Sequence, residues 1–314
     1  MVALRPFAAV PAEAPHDRRL DAVTAAGYPP RVASIPPELL GKRDALRDVL
    51  SASGRLLVAF SGGVDSSYLA WEAREVKGPE GCLAVTALSP SYPADHRAMA
   101  ERVVADFAIP HRFVDTHEMD SISYRRNAPD RCYHCKSELF ARLDRVREEL
   151  GFEAVAYGVN TDDTGDFRPG HRAADERGVL SPFIDAQLGK RDIRDLSRAV
   201  GLPTADLPAS ACLSSRLPYG TEVTVERLGQ VEEGERRLRA LGFAQVRLRH
   251  HGEIARVEVA PPELARALEP VMARAIVEAV KPLGFRYVSL DLEGYRTGSL
   301  NEGLLHIDRA APNA

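Results

Sequence analysis

Apolar and polar positions follow two different rhythms along the chain, and the change falls near residue 222. Before it, short unbroken apolar runs at 56–60, 82–88 and 154–159, with a briefer one at 112–115, alternate with segments at 66–77, 93–107, 136–150 and 191–200. In these longer segments apolar residues recur at helical spacing, as where Ile193, Leu196 and Val200 share one face. The runs read as strands buried on both faces and the longer segments as amphipathic helices. Strands separated by helices of this length predict an α/β fold, a parallel sheet with helices on both faces. Ligands of such sheets sit beyond the carboxyl ends of the strands, so residues 61–65, 88–92 and 158–163 are expected along one rim. Past Pro218-Tyr219-Gly220 come a charged helix at 225–241, alternating strands at 245–249 and 254–259, a helix at 262–280 and a strand at 287–291. Alternation suits a half-exposed sheet, which predicts a smaller C-terminal α+β domain.

Length and composition refine this division. At 314 residues the chain exceeds one average domain, and its 45% hydrophobic content supports real cores. Residues 1–37 hold seven of the 22 prolines without a continuous apolar core. They read as a flexible N-terminal arm rather than a secretory signal, leaving 38–221 and 222–314 as the two domains. No apolar run reaches the roughly 18 residues that span a bilayer, so no membrane partner is expected. A net charge of -4 argues against a nucleic-acid partner. Four cysteines in a chain of this size suit a reduced, cytoplasmic protein that uses thiols for chemistry rather than for a disulfide framework.

The strand at 56–60 runs into Ser61-Gly62-Gly63-Val64-Asp65-Ser66-Ser67. Adjacent glycines let the backbone turn sharply and approach an anion, and the helix start behind them aims N–H groups at it. The loop lacks the Gly-Lys-Ser/Thr ending of the ordinary P-loop, and with it the lysine that draws charge onto a terminal phosphate. It offers instead the hydroxyls of Ser61, Ser66 and Ser67 and the carboxylate of Asp65, which is suited to hold Mg²⁺ against a pyrophosphate. The motif resembles the signature of the PP-loop ATP pyrophosphatases, of the adenine nucleotide alpha hydrolase-like fold. ATP contacts are therefore expected at Ser61, Gly62, Gly63, Asp65, Ser66 and Ser67, and along the same rim at Leu88 and Gly158.

Cysteines form the second constellation. Cys132-Tyr133-His134-Cys135 is a CxxC pair expected between the third strand and a helix starting near Lys136, and Cys212 follows the last helix of the first domain. A thioredoxin-like redox pair lacks its usual position and context here. Zinc would want a fourth ligand, which His134, lodged between the cysteines, is poorly placed to give. Three thiolates suit a [4Fe–4S] cluster with one iron open, and zinc stands as the lesser alternative. Cys82, inside an apolar strand, reads as an inert core thiol.

With these residues in hand the chain resembles, over roughly residues 38–305, the ATP-dependent sacrificial sulfur transferases of nickel-pincer nucleotide cofactor synthesis, the LarE family. The resemblance is carried by the Ser61–Ser67 loop, by Tyr157-Gly158-Val159-Asn160-Thr161-Asp162-Asp163, by Gly165-Asp166-Phe167-Arg168-Pro169-Gly170 and by Cys212-Leu213-Ser214-Ser215-Arg216-Leu217-Pro218-Tyr219-Gly220. It implies that ATP adenylylates a carboxylate of a pyridinium dicarboxylate mononucleotide, after which sulfur is delivered to make a thiocarboxylate and AMP leaves. In one version Cys212 gives up its own sulfur. In the other, Cys132, Cys135 and Cys212 hold a [4Fe–4S] cluster that carries an extra sulfur, and the presence of all three cysteines favours this version. Cys212 is essential in both.

A carboxylate is a poor electrophile, so an AMP leaving group must be installed first, with Mg²⁺ on Asp65 neutralising the departing pyrophosphate. Arg216 could orient the substrate carboxylate or steady AMP, or form a surface salt bridge. Arg247 and Arg249 alternate along 246–251 and so project from one strand face, which a solvated surface would equally produce, while His250 and His251 point to opposite faces. The resemblance implies that Arg247 and Arg249 bind the substrate phosphate where protomers meet, and that Glu235 belongs to the same site. It also implies a homo-oligomer, trimer or hexamer, and handover of the product to a nickel-inserting enzyme. A tRNA thiolase using the same adenylylation and a non-catalytic, zinc-stabilised nucleotide-binding protein are the competing readings, while an amidotransferase would need a glutaminase domain that this length does not hold.

Overall fold

The computed structural model describes residues 35–163, 169–208 and 211–296. Most of the N-terminal arm, the stretch 164–168 of the Gly165–Gly170 motif and the C-terminal residues lie outside the described residues. The first sheet has β1 (Leu56–Ala59), β2 (Cys82–Leu88), β3 (His111–Asp115) and β4 (Ala154–Tyr157) in the order β3-β2-β1-β4, every pair parallel. Leu56 and Val58 pack on one side with α1 (Pro37–Ala52), α2 (Val64–Lys77), α3 (Ala94–Asp106) and α8 (Lys190–Ala199). Leu57 packs on the other with α5 (Arg131–Leu150) and α6 (Pro169–Asp175). Because successive side chains of a strand face opposite ways, a run apolar at every position is what two helical layers require. Complete burial of Leu56, Leu57 and Val58 is worth about 1.5–3 kcal/mol each.

Four departures from the expected elements have physical causes. First, α1 precedes the first strand unforeseen; Pro37 opens it with its φ preset, and Leu39, Leu46 and Leu50 bury one face. Second, α2 begins at Val64 rather than Ser66, because Gly63 is extended at φ −81° and ψ 169° and serves as the N-cap. Third, the CxxC pair lies inside α5, which starts at Arg131, behind the short α4 (Ile122–Arg125). Fourth, the helix expected at 262–280 is broken into α10 (Leu264–Leu268) and α11 (Pro270–Val280). Pro270 holds Glu269 extended at ψ 134°, as the residue before a proline prefers. A short α7 (Pro182–Asp185) completes the helices before the second sheet.

The second sheet follows α9 (Val225–Ala240) and has the order β5-β6-β7, with β5 (Val246–His251) antiparallel to β6 (Ile254–Val259) and β6 parallel to β7 (Tyr287–Leu290). It is less exposed than alternation suggested, since β5 is buried from Val246 through His250. Val246, Leu248, Ala255, Val257 and Val259 share one core with Leu228, Val231 and Leu238 of α9, and Leu213 and Leu217 join the same core. This second core also takes in Tyr124 and the partly buried Cys135, so the elements that carry the cysteines are packed against it.

Candidate functional site

The three expected rim segments do meet at the carboxyl ends of β1, β2 and β4. Gly62 turns the chain at φ +72°, a conformation that side chains with a Cβ rarely adopt, and an added Cβ would lie 3.0 Å from the His96 carbonyl oxygen. Gly158 is needed for a different reason, since a Cβ there would stand 3.0 Å from the Ser66 nitrogen. The loop is braced from within: Ser66 Oγ accepts from the Ser61 N–H at 3.1 Å and donates to the Gly63 carbonyl at 3.2 Å. Ser67 Oγ is buried with no hydrogen-bond partner among the described residues, an unspent donor on the first turn of α2. Orphaned N–H groups at a helix start and an unspent hydroxyl suit a phosphate.

The loop's missing lysine is supplied from elsewhere, which the sequence reading did not foresee. Lys190, the first residue of α8, forms an ion pair with Asp65, and Asn160 donates to the same carboxylate at 3.5 Å. Burial raises the Asp65 pKa above its ordinary value more than Lys190 lowers it. The available signal was a lysine straight after a glycine at a predicted helix start, 125 residues from Asp65 in sequence. Beyond Leu88 opens a cleft of about 520 Å³, lined by Leu88, Tyr92, Arg97, Asp115, His117 and Glu232.

Two hydrogen bonds link this loop to the cysteine segment. Tyr92 donates its hydroxyl to the Ser61 carbonyl at 3.0 Å, and the N–H of Leu213 donates to the Ser91 carbonyl at 2.9 Å. Cys132 is exposed, whereas Cys135 and Cys212 are partly exposed. Burial, with Glu118 beside it, pushes the Cys135 thiol up to about 12; Lys136 works against the shift, and Cys212 and Cys132 add smaller contributions to it. At Arg131, buried at 3% exposure, burial opposes the charged form, but Cys212, Cys132, Tyr124 and Tyr219 together outweigh it and raise the pKa. The three thiols therefore share one electrostatic neighbourhood, and as a donor set they suit a thiolate-bound metal. Among the described residues no group of three or more His, Cys, Asp or Glu side chains is already arranged to hold a metal ion. Cys82 is buried far from solvent, and burial pushes its thiol up to about 12 as well.

Arg216 is not a surface salt bridge. At 1% exposure it makes a two-pronged pair with Glu235 at 2.8 and 3.2 Å, and its remaining nitrogen donates to the carbonyls of Ala211 at 2.6 Å and Cys212 at 2.9 Å. Coulombic attraction to Arg216 holds the Glu235 carboxyl below its usual range, although burial works to raise it. Arg247 and Arg249 do not lie on a solvated strand face either; both are buried. Arg249 pairs with Glu258 at 2.9 and 3.1 Å and donates to the Ser215 carbonyl at 2.8 Å, while Arg247 stacks over the Tyr295 ring at 5.1 Å. His96 faces this cluster from α3, and burial, together with Arg216 and Arg247, pushes its imidazole down to about 4. The structure thus gathers Arg216, Glu235, Arg247 and Arg249 beneath the Cys212 segment, a short connection away from the glycine loop.

Comparison with known proteins shows the family. A family model described as asparagine synthase matches residues 42–144, the stretch that contains the glycine loop and the CxxC turn. An uncharacterised protein of Synechocystis is 42% identical over 266 residues, covering 85% of this chain and 99% of its own length. An uncharacterised protein of Methanocaldococcus jannaschii is 28% identical over 244 residues, covering 77% of this chain and 91% of its own length. The pyridinium-3,5-bisthiocarboxylic acid mononucleotide synthase of Lactiplantibacillus plantarum is 34% identical over 266 residues, covering 85% of this chain and 96% of its own length. With identity of that degree spread across both sheets, the chain belongs to the family of pyridinium-3,5-bisthiocarboxylic acid mononucleotide synthase, the LarE family.

Proposed function

We propose that this chain is an ATP-dependent sulfur transferase of nickel-pincer nucleotide cofactor synthesis. It adenylylates a carboxylate of pyridinium-3,5-dicarboxylate mononucleotide, releasing pyrophosphate, and converts that carboxyl into a thiocarboxylate, releasing AMP. The observation that carries this reading is the pair of hydrogen bonds from Tyr92 to Ser61 and from Leu213 to Ser91, which ties a phosphate-binding loop to a cysteine segment. A nucleotide bound at one is within reach of a sulfur delivered from the other.

In this reading the cleft beyond Leu88 takes the adenosine end, and the N–H groups of the glycine loop with the Ser67 hydroxyl hold the phosphates. Lys190 shifts between Asp65 and the charge that develops on the leaving pyrophosphate. Asp65 would hold Mg²⁺, which neutralises phosphate charge when bound. Cys132, Cys135 and Cys212 would hold a [4Fe–4S] cluster, which supplies a sulfide sulfur when bound. Alternatively Cys212 donates its own sulfur. Arg247, stacked on Tyr295, takes the phosphate of the substrate, and the segment 222–314 forms the surface on which protomers of a homo-oligomer meet. The 38–221 segment is then the ATP-handling domain.

The test is pyrophosphate release on addition of the dicarboxylate mononucleotide, followed by intact mass after one turnover of anaerobically reconstituted protein. Pyrophosphate formed only with that substrate supports the reading, and release driven by bulk tRNA would replace it with a tRNA thiolase. A polypeptide of unchanged mass assigns the sulfur to the cluster, and one lighter by a hydrogen sulfide assigns it to Cys212.

A further inference from the structure

The two cysteine-bearing segments are far apart in sequence, and nothing covalent brings them together. What joins them is a set of buried polar ties. The Nη1 atom of Arg131, next to Cys132, donates to the carbonyl of Ser214 at 2.8 Å and to Asn127 Oδ1 at 2.5 Å. Asn127 in turn donates to the carbonyls of Leu217 at 3.3 Å and Pro218 at 2.8 Å, and its own carbonyl accepts from the Gly220 N–H at 3.0 Å. Tyr124 shares a hydrogen bond of 2.7 Å with Ser214 Oγ. Arg131, Asn127, Tyr124 and Ser214 are all buried to 3% exposure or less. A guanidinium in such a place is costly unless every nearby acceptor turns toward it, so the segment after Cys212 is fixed relative to the start of α5, which carries the CxxC pair.

We infer that Arg131 is a positioning residue that holds the Cys212 segment against the cysteine-bearing start of α5 in the metal-free chain, so that a thiol ligand can draw the three cysteines together. The inference rests on the assignment of these three thiols to one site and deepens it. It does not concern how ATP or the substrate is bound. Preorganisation of this kind raises the effective concentration of one thiol at the others, so a ligand that needs all three binds more tightly than to a loosely tethered set.

Arsenite provides the test, because arsenic(III) is held by three thiolates and absorbs in the ultraviolet when it is. Reduced, metal-free protein is titrated without nucleotide. Wild type is expected to take one arsenite, and C212S to lose three-thiol binding. Arg131→Gln is expected to weaken it by about tenfold or more, the scale of a lost charged hydrogen bond. Arg131→Lys should recover part of the loss. In the C212S background, phenylarsine oxide, which needs only two thiols, should bind the CxxC pair equally with and without the Arg131→Gln substitution; this separates positioning from general unfolding. Should Arg131→Gln fail to fold, Tyr124→Phe cuts a neighbouring tie without removing a charge and is expected to weaken arsenite binding about threefold. Arsenite affinity unchanged in Arg131→Gln, or in Tyr124→Phe where the first variant does not fold, overturns the inference. Wild-type protein that takes no arsenite through three thiols sinks the shared-thiol site itself, a different failure from the first.

Discussion

The glycine loop at 61–67 and the cysteine segment at 211–217 are both short irregular connections, yet they are held in opposite ways. The glycine loop is shaped by its own residues: a positive φ at Gly62, an extended N-cap at Gly63 and a serine hydroxyl that braces the turn from inside. The cysteine segment is shaped by buried arginines, one of its own and two that come from other elements. Arg216 reaches back to the carbonyls of Ala211 and Cys212, Arg131 to that of Ser214, and Arg249 to that of Ser215. Two of these arginines are backed by buried glutamates, Glu235 and Glu258. A loop made of its own residues survives loss of a distant partner, whereas a loop held by buried charges depends on each of them.

The largest expected effect separates the two regions by chemistry. Cys212→Ser is expected to bring thiocarboxylate formation down to background while pyrophosphate release continues, because the carboxylate is activated at the glycine loop and sulfur arrives at the cysteine. Asp65→Asn should stop pyrophosphate release and, because no activated carboxyl then forms, thiocarboxylate formation with it. Pyrophosphate and thiocarboxylate measured on the same samples check both, and a Cys212→Ser variant that forms product would remove the division of labour.

Stability divides the regions next. Glu235→Gln leaves Arg216 buried with half its partner gone, and breaking a buried pair in this way typically costs about 3–5 kcal/mol. The Lys190–Asp65 pair is part-exposed, so Lys190→Met should change stability by no more than about 1 kcal/mol while impairing ATP use. Urea unfolding of the two variants checks the contrast. Equal losses would mean that the glycine loop also depends on its charged partner.

Acid sensitivity sharpens the contrast further. His111, which shares a hydrogen bond of 2.8 Å with Thr86 on the neighbouring strand of the first sheet, is pushed down by burial to about 4, and His96, facing Arg216, to about 4 as well. The unfolded chain takes up a proton near pH 6.5, the native chain not until about 4, so stability is full above the first value and falls as pH drops toward the second. Each histidine contributes a slope of at most about 1.4 kcal/mol per pH unit. Asp65 and Glu72, whose carboxyls burial raises, run the other way, so the informative quantity is the difference between wild type and variant. His96→Asn and His111→Asn should each flatten the decline between pH 6.5 and 4.5 in urea titrations. A flattening only in His96→Asn would locate the acid sensitivity beneath the cysteine segment.

How much of this could be read from the sequence follows the same line. The parallel sheet and the turn at Gly62 were legible because they depend on periodicity and on glycines that are neighbours in sequence. Helix α1 was not, since its hydrophobic stripe is narrow and a proline-rich stretch precedes it. The CxxC pair was set ahead of its helix because Cys132 and His134 give little helical signal of their own, whereas Arg131 starts the helix through contacts with a segment some 80 residues later, 83 positions on at Ser214. Lys190 stayed unseen for the same reason, as its partner is Asp65. Arg216, Arg247 and Arg249 were recognisable as important residue types, but whether such arginines face solvent or a buried carboxylate is decided by packing of α9 and β5, which no local pattern encodes.

The smallest effect bears on the joint between the two regions. Tyr92 lies in the connection between β2 and α3, and its hydroxyl to the Ser61 carbonyl is one half of the path from loop to cysteine. Tyr92→Phe removes one hydrogen bond and leaves the ring, which stands edge-on to His96 at 5.9 Å, in place. The net cost of such a bond is about 0.5–1.5 kcal/mol, since water can take the place of the lost partner. Stability should therefore barely move, and the Michaelis constant for ATP should rise about two- to tenfold as the Ser61 turn loosens. If the path also times the reaction, the ratio of thiocarboxylate formed to pyrophosphate released should fall, because activated substrate would more often meet water before sulfur. A ratio equal to wild type would mean that the two loops are merely adjacent, with the tyrosine serving the nucleotide alone.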